Sequence, residues 1–213
     1  MIDPTDPFST QQLLALKGSI RSHQANLPTG GKLSLFLLAP EDQELAPEDQ
    51  EQVQALFSAS KPKSGAQANE WKENRKLLDK AYGDQWTEAL EAALAKLDAT
   101  LTSHAESSPI LEGLHALGQQ ADWGKGTVEL EIWSDLMQKS DTLDQYATAC
   151  RSYQDLLQGK SMYAQVPGLT GAQIRVYRLT NHKTGKPEPA CHSAFWNDYF
   201  TQASGMAPAW QNL

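Results

Sequence analysis

Leu13, Leu14, Leu16 and Ile20 recur at helical spacing behind Ser9, whose hydroxyl can accept from the free N–H groups of a first turn. The pattern predicts a helix from about Thr10 into the mid-twenties, ended by Pro28, Thr29, Gly30 and Gly31. In Lys32 to Leu38, Leu33, Leu35, Phe36, Leu37 and Leu38 form a nearly continuous apolar run, which predicts a central strand covered on both faces. Ala39-Pro40-Glu41-Asp42-Gln43-Glu44 then recurs as Ala46-Pro47-Glu48-Asp49-Gln50-Glu51. The first copy reads as a loop. The second reads as a helix entrance, with Pro47 in the first turn, Glu48 and Asp49 at the positive end of the dipole, and Val53, Leu56 and Phe57 on the apolar side. Residues 59–68 are small and polar with one proline and form a candidate flexible linker.

The middle of the chain has a helical period. Trp71, Leu78 and Tyr82 share a face over about Asn69 to Tyr82, Gly83 predicts a stop, and Asp84 can cap a following helix. There Trp86, Leu90, Leu94, Leu97 and Leu101 repeat every three or four residues, and the helix is expected to reach about His104. Ile110, Leu111, Leu114 and Leu117 predict a shorter helix over about Pro109 to Gln120. In Thr127 to Trp133 the period becomes two: Val128, Leu130 and Ile132 point one way, and Glu129 and Glu131 the other, towards solvent or a partner. Asp141 can cap a helix carrying Leu143, Tyr146, Cys150, Tyr153 and Leu157 and ending at Gly159. Residues 172–180 read as a strand with Ile174 and Val176 inward and Arg175 and Tyr177 outward. A turn over Asn181 to Lys186 and a proline-bearing edge strand over 187–191 complete a hairpin. Ser193 can cap a last helix that packs Trp196, Tyr199, Phe200 and Ala203 before Gly205.

This order predicts one α+β domain over residues 1–213, with more helix than strand. A small mixed or antiparallel sheet of three to four strands is expected, with helices packed on one face and a helical layer at about 69–120. Aromatic and aliphatic content suffices for a hydrophobic core. No basic region followed by an apolar stretch opens the chain and no apolar run is long enough to span a bilayer, so a cytoplasmic protein without a membrane contact is expected.

Charge is unevenly distributed. Residues 1–170 carry 14 Lys and Arg against 24 Asp and Glu, whereas residues 171–213 carry 4 against 2. The basic groups of the C-terminal part are Arg175, Arg178, Lys183 and Lys186, with His182 among them. With Tyr177 or His182 as a stacking group they form a candidate contact for single-stranded nucleic acid. The structural alternative pairs the strands at 127–133 and 172–180 so that Glu129 and Glu131 oppose Arg175 and Arg178, each pair contributing about 0.2–1 kcal/mol.

Candidate chemistry is sparse. Cys191-His192 is the one adjacent pair of reactive side chains, but neighbours in sequence diverge in direction, and packing roles are expected for Cys191 and Cys150. The cysteines and histidines have no spacing of a zinc site, and the carboxylates of Glu41 to Glu51 lack the glycine and ligand alternation of a calcium loop. Thr29-Gly30-Gly31-Lys32-Leu33-Ser34 leads into a strand where a phosphate loop must open a helix. Trp133 falls on the polar face of its strand, and Trp123 and Trp210 fall in expected loops. Neither catalytic residues, nor metal, nor cofactor are assigned. The expected function is that of a non-catalytic binding or accessory protein in a larger assembly, contacting a protein partner through the basic hairpin. A nucleic-acid-contacting subunit is the first alternative; a small hydrolase or transferase drawing on Glu129, Glu131 or Asp198 is the second.

Overall fold

A capping box starts the first helix, α1 (Thr10–Asn26): the Ser9 hydroxyl accepts from Gln12 N and the Gln12 side chain accepts from Ser9 N. Its buried stripe is Gln12, Leu16 and Ile20, while Leu14 is exposed. The computed structural model describes the chain except residues 6, 40–51, 63–74, 102–106, 121–125, 147–150 and 181–189. The remaining described elements are β1 (Lys32–Leu38), β2 (Val53–Ser60), α2 (Arg75–Thr100), α3 (Ile110–Gln120), β3 (Glu129–Ser134), α4 (Tyr153–Gln158), a 3-10 turn (Met162–Ala164), β4 (Gln173–Arg178), α5 (His192–Ser204) and β5 (Ala209–Asn212). The class is α+β with helix exceeding strand.

Among the described residues there are two small sheets: β1 and β2 are antiparallel, and β3, β4 and β5 are parallel in that order. Ile2 joins them by bridging Leu37 of β1 and Trp133 of β3, both in parallel sense. Its N–H donates to Phe36 O and its carbonyl accepts from Leu38 N, each at 2.8 Å. β1, the Ile2 segment, β3, β4 and β5 therefore run the same way, and their carboxyl ends meet one rim.

Alternation along the strands divides the core in two. Leu35, Leu37, Trp133, Tyr177 and Leu179 pack with Leu16 and Ile20 of α1 and with Trp86, Leu90, Leu94 and Leu97 of α2. Leu38, Leu130, Ile132, Ile174 and Val176 pack with α3, with Tyr153 and Leu156 of α4, and with Phe195, Trp196, Tyr199 and Phe200 of α5. Helices thus cover both faces, where the sequence had suggested one.

Several predicted elements change. The apolar residues assigned to a helix after Pro47 belong to β2 instead. A bulge lies between Leu35↔Phe57 and Phe36↔Ala55, leaving Leu56 as the extra residue. It turns Val53 and Phe57 to opposite faces, because Val53 lies beside Gly113 of α3 while Phe57 packs with Trp86 of α2. Residues 59 and 60 of the expected linker end this strand. Helix α2 runs uninterrupted through Gly83 and Asp84, whose expected stop and cap are absent. Where the long helix from Asp141 was expected to begin, residues 141–146 are turn-rich, and Lys139 bridges both Ser108 and Asp144. Asp144 accepts from Tyr146 N two residues on, an arrangement that competes with helix. Among the described residues of that stretch, the helical part is α4, capped by Ser152 and Asp155. At α5 the capping position is Cys191, not Ser193, and Gly205 closes the helix in the left-handed region at φ 80°. β5, which contains Trp210, replaces a predicted loop. Both acidic copies apart from Ala39, and with them the expected helix entrance at Pro47, Glu48 and Asp49, lie outside the described residues.

Candidate partner-contact surface

Glu131 is the centre of a polar cluster on the α1 side of the sheet. Strand alternation aims its side chain towards α1, and the Leu16/Ile20 stripe brings Ser19 and His23, one turn apart, over it. Ser19 Oγ donates to Glu131 Oε2 at 2.8 Å, and His23 Nε2 lies 2.9 Å from Oε1. Tyr177 OH donates to Oε1 at 3.2 Å and Arg175 Nη1 at 3.4 Å. Burial would raise the Glu131 carboxyl, but the bonds from His23 and Ser19, the His23 charge and the bond from Tyr177 outweigh it and hold it at about 2. The bond to Glu131 raises His23 above its ordinary value, against burial and the nearby Arg175; Glu129 also contributes in the raising direction. A carboxylate so fully engaged is an anchor for α1 and is poorly suited to give or take a proton.

The register sets Glu131 beside Arg175, as the cross-strand reading expects, but pairs Glu129 with Gln173 and Arg178 with Ser134. Arg175 and Arg178, three positions apart on one strand, point to opposite faces. The Arg175 side chain remains 53% exposed despite its carboxylate contact. Tyr177 is buried, and its ring lies flat on Trp133 with centroids 3.9 Å apart at 11°. This stack explains why Trp133 stands on the polar side of its strand: that side is covered by α1 and α2. Both lateral edges of β4 are taken, by β3 and β5. His182, Lys183 and Lys186 lie outside the described residues, as does Cys150.

No family model matches the chain, and neither does any curated protein or solved structure.

At the carboxyl rim, Leu136 holds a left-handed backbone at φ 61°. Its carbonyl accepts from His192 Nε2 at 3.0 Å and from Trp196 Nε1 at 2.8 Å, pinning the start of α5 to the end of β3. Burial pushes His192 down to about 4 against its bond to Leu136, so it is neutral near pH 7. Cys191 and His192 therefore have separate structural places, at a helix start and in a buried bond. Nearby, Asp3 is buried and accepts from Thr5 N, Thr5 Oγ1, Ser108 Oγ and Ser134 Oγ at 2.6–3.1 Å. A second buried carboxylate, Glu112, accepts from Gln138 Nε2 and Ser140 Oγ. Among the described residues, no group of three His, Cys, Asp or Glu could hold a metal ion, and no helix is long and apolar enough to cross a membrane.

Sequence reasoning found the Glu131–Arg175 neighbourhood but missed Ser19, His23 and Asp3. A trace of the first two is visible: Ser19 and His23 stand one turn apart beside Leu16 and Ile20 on a helix destined to pack.

Proposed function

We propose that the protein is a non-catalytic binding protein that contacts a protein partner through its C-terminal region, with Arg175, His182, Lys183 and Lys186 supplying the positive side and Arg178, on the opposite face, left out of the contact. The observation that carries this reading is the rim shared by the parallel strands. In open α/β sheets ligands bind outside the carboxyl ends of the parallel strands, and the parallel strands here, in an α+β fold, end on a comparable rim. Thr180 follows β4 at that rim, its N–H donating to Leu213 O at 3.1 Å, and His192 is bonded to Leu136 there. These two residues bracket the stretch whose sequence holds His182, Lys183 and Lys186. A stretch of sequence holding His182, Lys183 and Lys186, in a chain of net charge −8, favours an acidic partner surface.

A protein partner is preferred to nucleic acid because two elements of a nucleic-acid platform are lost. Tyr177 is stacked inward on Trp133, and Arg175 and Arg178 are divided between the two faces. The test is affinity purification from the native host with and without nuclease, using wild type and the Arg175→Ala/Lys183→Ala/Lys186→Ala variant. A nuclease-resistant protein partner retained by wild type and lost by the variant is the expected result. Retention of nucleic acid with a steep salt dependence, or a partner indifferent to the variant, would overturn the proposal.

A further inference from the structure

One oxygen of Glu131 is shared between two cationic side chains. Oε1 lies 2.9 Å from His23 Nε2, and it accepts from Tyr177 OH at 3.2 Å and from Arg175 Nη1 at 3.4 Å. Arg175 Nη1 also donates to Tyr177 OH at 3.5 Å, while the other carboxylate oxygen accepts from Ser19 Oγ at 2.8 Å. The imidazole and the serine thus hold the carboxylate at short range, whereas the guanidinium rests on two contacts near the limit of a hydrogen bond. The two cations come from different elements, His23 from the last turn of α1 and Arg175 from β4. Both are partly open to solvent, and the carboxylate between them is largely covered.

The charge on His23 sets how much of this carboxylate is left for Arg175. With Glu131 held at about 2 against burial, its carboxylate is ionised throughout the range in which an imidazole titrates. A protonated imidazole cancels that charge and repels the guanidinium; a neutral one can still donate Nε2–H to Oε1 but leaves the negative charge to Arg175. The surrounding charges do not favour either cation. Exposed Glu129, two residues back on β3, attracts His23 and Arg175 alike. On α1, Arg21 is turned to Glu91 and Lys17 to Asp98, both on α2, and Lys61, just after β2, donates to the carbonyls of Gln24 and Leu27. The Met1 amino group donates to the Glu131 carbonyl, and burial pushes it down to about 5, so it carries little charge where His23 titrates.

Resting on the reading above that Arg175 contacts an acidic protein partner, we infer that His23 and Arg175 share Glu131 as a common counter-ion, so that a proton on His23 frees Arg175 for the partner and its loss ties Arg175 back to the carboxylate. The contact is tighter at low pH and weakens as pH rises through the folded value of His23. The coupling is reciprocal: removing Arg175, or engaging it with an acidic partner, raises the affinity of His23 for its proton. Because both cations are partly exposed, the effect on affinity is about threefold and is screened by salt.

The first test needs no partner. The Arg175 Cζ and His23 imidazole carbon signals of the isotope-labelled full chain are followed by NMR from about pH 5.5 to 9. Arg175 is expected to inflect at the His23 midpoint in wild type and not in His23→Gln, and the His23 midpoint is expected to move up in Arg175→Ala and return in Arg175→Lys. An Arg175 signal blind to the His23 titration, or a His23 midpoint that stays or falls in Arg175→Ala, overturns the inference; the wild-type titration decides it even if a variant misfolds. In the second test the full chain captures its partner from the native host at about pH 6 and about pH 8.5. Wild type is expected to retain about threefold more at the lower pH, and His23→Gln to lose that excess. An equal pH ratio in both proteins would assign the effect to His182 or to the partner and remove regulation by His23, while loss of the partner from the Arg175/Lys183/Lys186 variant would leave the broader reading standing. A linked titration of His23 and Arg175 with a partner indifferent to the basic residues would keep the shared counter-ion and remove the broader reading.

Discussion

Glu131 and His23 titrate as one contact, and the two shifts limit it from opposite sides. Glu131 is held down to about 2, so its share of stability is present above the ordinary carboxylate range and lost as pH falls through that range towards 2. His23 is raised, so its share is complete below its ordinary value near 6.5 and lost as pH rises through the higher folded value. The contact is therefore strongest at about pH 5 to 6. Urea unfolding of wild type and His23→Gln across pH is expected to show a difference of about 0.5–1 kcal/mol there, the range for a partly exposed pair, shrinking as the solution becomes alkaline. A difference that grows with pH would show that the imidazole does not stabilise α1 through its charge. Glu131→Gln is expected to remove the same pH dependence, because the two groups act on each other.

Among the helices, glycines that look alike in sequence have opposite roles. In α3 a Cβ at Gly118 would stand 2.4 Å from the Pro167 carbonyl oxygen, a backbone atom that cannot rotate aside. Gly118→Ala is expected to lower stability by about 1–3 kcal/mol through overpacking, in spite of alanine's better helix propensity. In α2 a Cβ at Gly83 would meet nothing within 4 Å. There Gly83→Ala is expected to raise stability by up to about 1 kcal/mol. Thermal unfolding of the two variants under one condition checks both signs. If Gly83→Ala were destabilising, α2 would not be continuous through that position. The bulge in β2 belongs to this scale too, because one extra residue lets Val53 meet α3 and Phe57 meet α2 from the same strand.

For the molecule as a whole, the segment Met1 to Thr5 is the fastener. Ile2 bridges β1 to β3, and Asp3 gathers hydroxyls from Thr5, from Ser108 ahead of α3 and from Ser134 at the end of β3. Asp3→Ala leaves those buried hydroxyls without their acceptor and is expected to lower stability by at least about 2 kcal/mol. Hydrogen exchange should speed up at both β1 and β3 in this variant; acceleration confined to residues 1–5 would mean that the two sheets hold together without it. Burial raises the Asp3 carboxyl above its ordinary value, so ionising it opposes folding, and its pH effect runs against that of Glu131.

α1, β1, α3, β3, β4 and α5 were legible in the sequence because each buries a face with its own regular period, a property of residues close together in the chain. So was the nearness of Glu131 and Arg175, which needs only that two strands be neighbours. β2 was not, because its bulge spaces Val53 and Phe57 as a helix would. Gly83 resembled a helix end but lies where α2 has open space beside it. β5 and the Ile2 bridge are too short to show any period, and their strand character comes from the hydrogen bonds of β4, β1 and β3. Covering both faces with helices, dividing Arg175 from Arg178 and turning Tyr177 inward onto Trp133 were settled by the tertiary structure alone. The reason is physical: a local pattern says which side of an element is apolar, whereas the partner of that side is fixed by contacts between residues distant in the chain.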